Sequence, residues 1–394
     1  MDIQLTEPEH VELLATRRDL HQHPEPSWKE QRTAALVAER LRALGLEPRT
    51  GVAETGVVAD LDTGEPGPCV LLRADMDALP VHEENDLPWR STNPGVMHAC
   101  GHDGHVAMLL AAARVLVQRH PPSRGVVRFC FQPAEEGGNG ALAMIEAGVL
   151  LSPRVDVAYG LHLWNELDRG KVGIVPGPCM AAVDRFEIRV EGRGGHGAIP
   201  HRAADPIVAA AHVVTALQTI ASRRIDPEHP VVVTVGRIEG GEAFNVIPRE
   251  VRLLGTARSF HEAAGEALPE LVTSIAEQTA AAHGCTARVA YERLSRATVN
   301  DPAEAARARD VATRLVGADA VVPLRTMAGE DFSELLLRVP GCFVFVGSRD
   351  EATGKVHPHH SPRFDIDERA LPLGAALLVA LAHDALRLGG TLGG

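Results

Sequence analysis

Before residue 183 the chain carries four short apolar runs, at 57–61, 70–73, 126–131 and 155–161. Each is rich in β-branched residues and continuous rather than alternating, the pattern of strands buried on both faces. Helical stretches lie among them, and strands linked through helices pair mostly in parallel. The helical spacing falls at about 8–22, 29–44, 105–119 and 140–147. Gly45 stops the second of these. An α/β layer structure is the only economical way to cover such strands.

Near residue 183 the pattern changes. Phe186, Ile188 and Val190 alternate with Glu187 and Arg189, as in a sheet with one solvated face. Helical spacing at 205–222, strands at 231–238 and 251–259, a helix at 262–283 and a strand at 286–291 follow. The order β-α-β-β-α-β is that of a ferredoxin-like unit. The α/β style then resumes, with a helix at 302–316, a strand at 342–346 and a closing helix at 368–387. The expected architecture is a mostly parallel-sheet α/β domain, residues 1–182 and 295–394, interrupted by a ferredoxin-like α+β domain at 183–294.

Charge removes several functions. Lys and Arg number 39 against 52 Asp and Glu, a net −13, and no basic run offers a phosphate-binding patch. Nucleic acid is therefore excluded as a partner. The longest apolar stretches, 106–117 and 371–382, are too short to span a bilayer, and Arg114 interrupts the first. The opening MDIQLTEPEH has neither the basic nor the apolar region of a signal peptide. Six cysteines scattered over 394 residues make no disulfide framework. A reducing cytoplasm is the expectation.

The 19 histidines are the unusual count. Three of them, His98, His102 and His105, crowd around Cys100 just before a helix. A thiolate and an imidazole two residues apart suit zinc or another first-row divalent ion. Glu135 and Glu136 directly follow the strand at 126–131, His162 ends the strand at 155–161, and His357, His359 and His360 follow the strand at 342–346. Taken singly, each reads as easily as a packed histidine or a solvated acidic turn. Together they lie where open α/β sheets bind ligands, beyond the carboxyl ends of the strands. Adjacent glutamates in extended chain point to opposite sides, so one can ligate metal while the other acts as a base.

The order of landmarks is specific. Leu72-Arg73-Ala74-Asp75-Met76-Asp77-Ala78-Leu79-Pro80, His98-Ala99-Cys100-Gly101-His102-Asp103 and Gln132-Pro133-Ala134-Glu135-Glu136-Gly137-Gly138 are followed by Gly194-Gly195-His196-Gly197, Asn245-Val246-Ile247-Pro248, Gly255-Thr256-Ala257-Arg258 and Gly329-Glu330-Asp331-Phe332. With Asp19-Leu20-His21-Gln22-His23-Pro24-Glu25 at the front, the chain resembles the di-metal aminoacylase and carboxypeptidase family over nearly its whole length. The resemblance is to the branch holding hippurate hydrolase, bacterial N-acyl-amino-acid amidohydrolases and plant indole-acetyl-amino-acid hydrolases. Arg73 stands where the wider superfamily has a ligand histidine, and Cys100 near where it has a bridging aspartate; both departures mark that branch.

The resemblance implies cleavage of the amide of an N-acyl amino acid by a cytoplasmic enzyme, a homodimer or a dimer-based homo-oligomer. Cys100, His102, Glu136, His162 and His360 would hold two divalent ions (Mn, Zn, Co or Ni), with the Cys100 thiolate bridging. Two such ions ~3.5–4 Å apart hold and acidify one water, and Glu135 would take its proton and pass it to the leaving amine. Asp75, just past a strand end, reads as a carboxylate orienting a ligand imidazole or as a strand-end cap. His196 would stabilise the oxyanion in a neighbouring subunit's site, and Asn245 and Arg258 would hold the substrate carboxylate. Three rivals stand: a cysteine-nucleophile amidase using Cys100 with His102 or His98, a dipeptide-cleaving peptidase of the same fold, and a non-catalytic binding protein.

Overall fold

In a computed structural model, which describes residues 3–387, the chain divides into two compact units. The first comprises the chain up to Cys179, Val299–Leu324 and the chain from Asp331 onward. The second comprises Met180–Thr298 and Arg325–Glu330. The segment Arg325–Glu330 thus packs with the second unit, whereas the sequence reading left it in the first.

The first unit is built on an eight-stranded sheet in the order Arg49–Val52, Gly56–Asp62, Val126–Gln132, Cys69–Asp75, Val157–Asp168, Gly341–Arg349, Val172–Gly173, Val321–Val322. Its centre is parallel: Cys69–Asp75 pairs in parallel with Val126–Gln132 and Val157–Asp168, and the latter with Gly341–Arg349. An antiparallel hairpin, Arg49–Val52 with Gly56–Asp62, closes one edge. Every residue of Cys69–Asp75 and Val126–Gln132 is buried, the two-faced burial that the continuous apolar runs demand. Residues of helices Glu7–Gln22, Gln31–Ala43, His102–Gln118, Pro302–Val316 and Leu371–Arg387 join strand residues in one apolar core. Among the described residues, Glu368–Arg387 is the one helix long and apolar enough to cross a bilayer, longer than the 371–382 stretch suggests. Leu371, Ala375, Leu378 and Ala382 are instead buried in this core.

The second unit is a four-stranded antiparallel sheet, ordered Val231–Glu239, Glu250–Ser259, Ala182–Glu191, Thr286–Ser295, with helices Pro206–Leu217 and Glu262–Ala282. That is the ferredoxin-like connectivity. Along Ala182–Glu191 burial alternates residue by residue, with Phe186, Ile188 and Val190 facing the helices' apolar core.

Two boundaries matter for chemistry. The strand expected to end near His162 continues to Asp168, because its neighbour Gly341–Arg349 pairs with it as far as Arg349 opposite Asp168. His162 is therefore held mid-strand. The helix expected from about 105 begins at His102, after Gly101 at φ 90°, a left-handed conformation that glycine adopts without steric cost.

Candidate metal centre

The central parallel strands run in the order Val126–Gln132, Cys69–Asp75, Val157–Asp168, Gly341–Arg349. Chain connections therefore leave Cys69–Asp75 and Val157–Asp168 in opposite directions, which opens a crevice at their carboxyl ends. Arg73 pairs with Gly160, and two residues further along each strand come Asp75 and His162. The helix beginning at His102 and the loops after Gln132 and Arg349 deliver the other groups to this crevice.

Ring orientations follow from fixed acceptors. His102 Nδ1 lies 2.8 Å from the Asp77 carbonyl, an acceptor only, so this nitrogen carries the proton. Its Nε2 is buried without a hydrogen-bond partner. His162 Nδ1 likewise donates to the Leu163 carbonyl at 2.6 Å, which leaves its Nε2 lone pair 3.5 Å from Cys100 Sγ. His360, at φ 67°, is tied by its backbone N–H to the Ala99 carbonyl, and its Nε2 stands 3.3 Å from Glu136 Oε1.

These groups form overlapping sets. Cys100, His102 and His162 present ligand atoms within 4.8 Å of one another, as do Cys100, Glu136 and His360, and also His102, Glu135 and Glu136. Cys100 belongs to the first two sets. The electrostatics suit a cation. Burial, reinforced by Glu136, Glu135 and Asp75, pushes the Cys100 thiol well above its ordinary range. Burial would lower His102, yet Asp75, Asp77 and Glu136 together lift it to about 10. The acidic surroundings thus favour positive charge at His102, which a divalent ion can supply in place of a proton, and a thiol, imidazoles and carboxylates together are a donor set that fits such ions.

The same surroundings disfavour the cysteine-nucleophile alternative, which needs a stabilised thiolate. The histidine nearest Cys100 Sγ in hydrogen-bond geometry is His162, not His102 or His98. His98 is buried with both ring nitrogens unpartnered, and burial pulls it down to about 4.

Asp75 holds an imidazole, but of a different histidine from those expected to ligate. Its Oδ1 accepts from His105 Nδ1 at 2.6 Å and its Oδ2 from Arg73 at 2.7 Å, while His102 Nε2 is 3.7 Å away. His105 Nε2 accepts the Leu163 N–H at 2.9 Å, so both of its nitrogens are used in anchoring the strand beside His162. The carboxylate beside His102 Nδ1 is Asp77, whose Oδ1 lies at 3.4 Å. The oxygens of Asp77 also accept the backbone N–H groups of Glu135 and Glu136, each at 3.0 Å. Sequence reasoning passed over Asp77 and gave His105 no role. The available signals were the Asp-x-Asp spacing after a strand and the three-residue step from His102 to His105 on one helix face. Arg73, wholly buried, is also paired with Asp331 at 3.0 Å and Gln132 at 2.8 Å.

The remaining predicted residues lie in the second unit. His196 pairs with Val246 in a short antiparallel ladder, and the Asn245 carbonyl beside it accepts the Gly197 N–H at 2.8 Å. His196 is exposed, its Nδ1 accepting the Ala198 N–H at 3.0 Å. Arg258, on Glu250–Ser259, donates to the Thr256 hydroxyl and the Ala257 carbonyl rather than to a carboxylate.

The profile of peptidase family M20/M25/M40 matches residues 71–384. An N-acetyl-L-cysteine deacetylase of Bacillus subtilis is 41% identical over 360 residues, 91% of this chain and 85% of that protein. An N-acyl-L-amino acid amidohydrolase of Geobacillus stearothermophilus is 47% identical over 291 residues, 74% of this chain and 78% of that one. A Bacillus subtilis crystal structure described as a dinuclear metal binding peptidase superposes with a TM-score of 0.84 at 36% identity, covering 97% of this chain and 99% of its own.

Proposed function

We propose, from the premise that the chain belongs to peptidase family M20/M25/M40, that it hydrolyses the amide of N-acyl amino acids to a carboxylate and a free amino acid. The observation that carries this reading is the pair of ligand sets sharing Cys100, with Glu135 next in sequence to the ligand Glu136. Cys100, His102 and His162 would hold one divalent ion, and Cys100, Glu136 and His360 a second. Ions held there would polarise the amide carbonyl and make an attacking water more acidic. Glu135 accepts that water's proton and returns it to the departing amine nitrogen. Asp77 keeps His102 in the tautomer whose Nε2 faces inward, and it holds the backbone of both glutamates. Asp75 and His105 fix the strand next to His162.

Arg258 and Asn245 are assigned to the substrate carboxylate; a guanidinium whose hydrogen bonds go to neutral oxygens is available for a planar, two-point anion contact. His196, exposed and on the inserted unit, is assigned to oxyanion stabilisation in the site of a second subunit. Homodimerisation through this unit is supported by its exposed Ile238, Phe244 and Val246. Six free cysteines favour a reducing, cytoplasmic setting. A donor set of thiolate, imidazole and carboxylate would accept Mn, Zn, Co or Ni, the thiolate leaning toward the softer of them. The test is a panel of N-acyl amino acids incubated with protein loaded separately with each metal. Release of free amine supports the reading. Its absence with every loaded form, at verified metal content, overturns it.

A further inference from the structure

The loop bearing Glu135 and Glu136 is gripped from a segment more than a hundred residues earlier in the chain. Glu30 is wholly buried. Its Oε1 accepts the backbone N–H of Ala134 at 2.9 Å and that of Trp28 at 3.1 Å, and its Oε2 accepts the Thr55 hydroxyl at 2.6 Å. Ala134 immediately precedes Glu135 and sits at φ 51°; Trp28 sits at φ 64°. Both are left-handed conformations that side-chain-bearing residues adopt only where surroundings impose them. Here one buried carboxylate binds the N–H groups of both.

Two further contacts complete the grip. Ser27 donates to Asp77 Oδ2 at 2.7 Å, the oxygen that also accepts the Glu136 N–H. At Gly138, a Cβ would fall 2.7 Å from Trp28 Nε1 and 2.5 Å from the Ala134 Cβ, so the far side of the loop closes directly on the indole. A solvated helix-capping residue would need none of this. Glu30 does precede the helix Gln31–Ala43, but its side chain makes no capping bond and turns to Ala134 instead.

We infer that Glu30 is a positioning residue for the hydrolytic reaction: its buried carboxylate holds Ala134 in the left-handed conformation that sets where the Glu135 carboxylate stands. The inference rests on the proposed role of Glu135 as proton acceptor. A positional fault of about 1 Å in a catalytic group costs roughly a hundredfold in rate, and this bond sits one residue from that group.

The test compares Glu30→Ala, Glu30→Gln and Glu30→Asp in the full-length, metal-loaded protein, reading kcat, KM, bound metal and Tm separately. Gln keeps the reach and an oxygen for the Ala134 and Trp28 N–H groups, and its amide can donate to the Thr55 hydroxyl. Asp keeps the charge but is one methylene short. The expected result is that Ala and Asp lower kcat by roughly a hundredfold, at near wild-type KM and metal content, while Gln retains most of it. A folded, metal-loaded Ala variant with wild-type kcat overturns the inference, as does a Gln variant as slow as Asp. If Ala fails to fold, the Gln–Asp comparison decides. Glu135→Gln is assayed alongside: if it still turns over, the role of Glu135 falls, whereas an inactive Glu135→Gln beside three normal Glu30 variants removes the inference alone.

Discussion

Asp77 receives the Nδ1 proton of His102 on its carbonyl oxygen at 2.8 Å while its carboxylate receives the N–H groups of the Glu135–Glu136 loop. One residue thus joins two ligand-bearing elements, a helix start and a strand-end loop. Asp77→Ala keeps that carbonyl but removes the carboxylate, so it should release the Glu135–Glu136 loop and leave His102 with only the backbone acceptor. Partners of this kind typically contribute ten- to a hundredfold in metal affinity, so chelator competition should show a loss of about that size together with a lower kcat. Wild-type affinity in a folded variant would assign Asp77 to loop packing only.

Glu135→Gln should lower kcat by at least about a hundredfold, the usual scale of general-base assistance, with bound metal near the wild-type amount. The amide keeps the side chain's size but cannot accept a proton. Elemental analysis on the assayed sample separates this from metal loss, which would point instead to a ligand role.

Cys100 belongs to both main ligand sets. Cys100→Ser replaces a thiolate by a hydroxyl that stays neutral at pH 7, so the variant should lose affinity for two ions and recover only partial activity with excess metal. Two ions bound with unchanged affinity would show that Cys100 packs rather than ligates.

Arg17, fully buried, pairs with Asp103 at 2.9 Å and Asp365 at 2.8 Å. Burial would raise the Asp365 carboxyl, but Arg17 and Lys355 hold it below the ordinary range. A depressed carboxylate contributes stability in full above its unfolded value near 3.9 and loses it as pH falls toward the folded value. Asp365→Asn should cost roughly 2 kcal/mol at pH 7, as for a bond to a buried charge, and the gap from wild type should narrow as pH drops below about 4. Urea denaturation at pH 7, 5 and 3.5 measures it; a gap constant across that range would mean the carboxylate charge contributes nothing.

Glu135→Ala and His196→Ala, each nearly inactive alone, should regain activity when mixed under conditions that exchange subunits. If the protein is the proposed dimer and His196 serves its partner's site, a mixed dimer then holds one site with both residues intact. Half the dimers are mixed at equal amounts, so recovery should approach a quarter of wild type. No gain after verified exchange would place His196 in its own chain's site or outside catalysis.

What the sequence by itself determined is whatever depends on neighbours along the chain. Period-two and helical spacing laid out the strands and helices, and the continuous runs at 70–73 and 126–131 already required burial on both faces. Thiol, imidazole and carboxylate groups, read as lying at strand ends or in the loops beyond them, pointed to a metal site before any of their contacts were known. Distances between them were decided elsewhere. Cys100 meets His162, 62 residues further on, because the fold lays the start of the helix His102–Gln118 against Val157–Asp168, where His105 accepts the Leu163 N–H. Asp75 meets His105 and Asp77 meets His102 because a helix starting at His102 sets which ring faces which residue. Glu30 reaches Ala134 across 104 residues. Such partners are chosen by strand order and helix register, which arise from burying the whole core at once, and no local pattern encodes them.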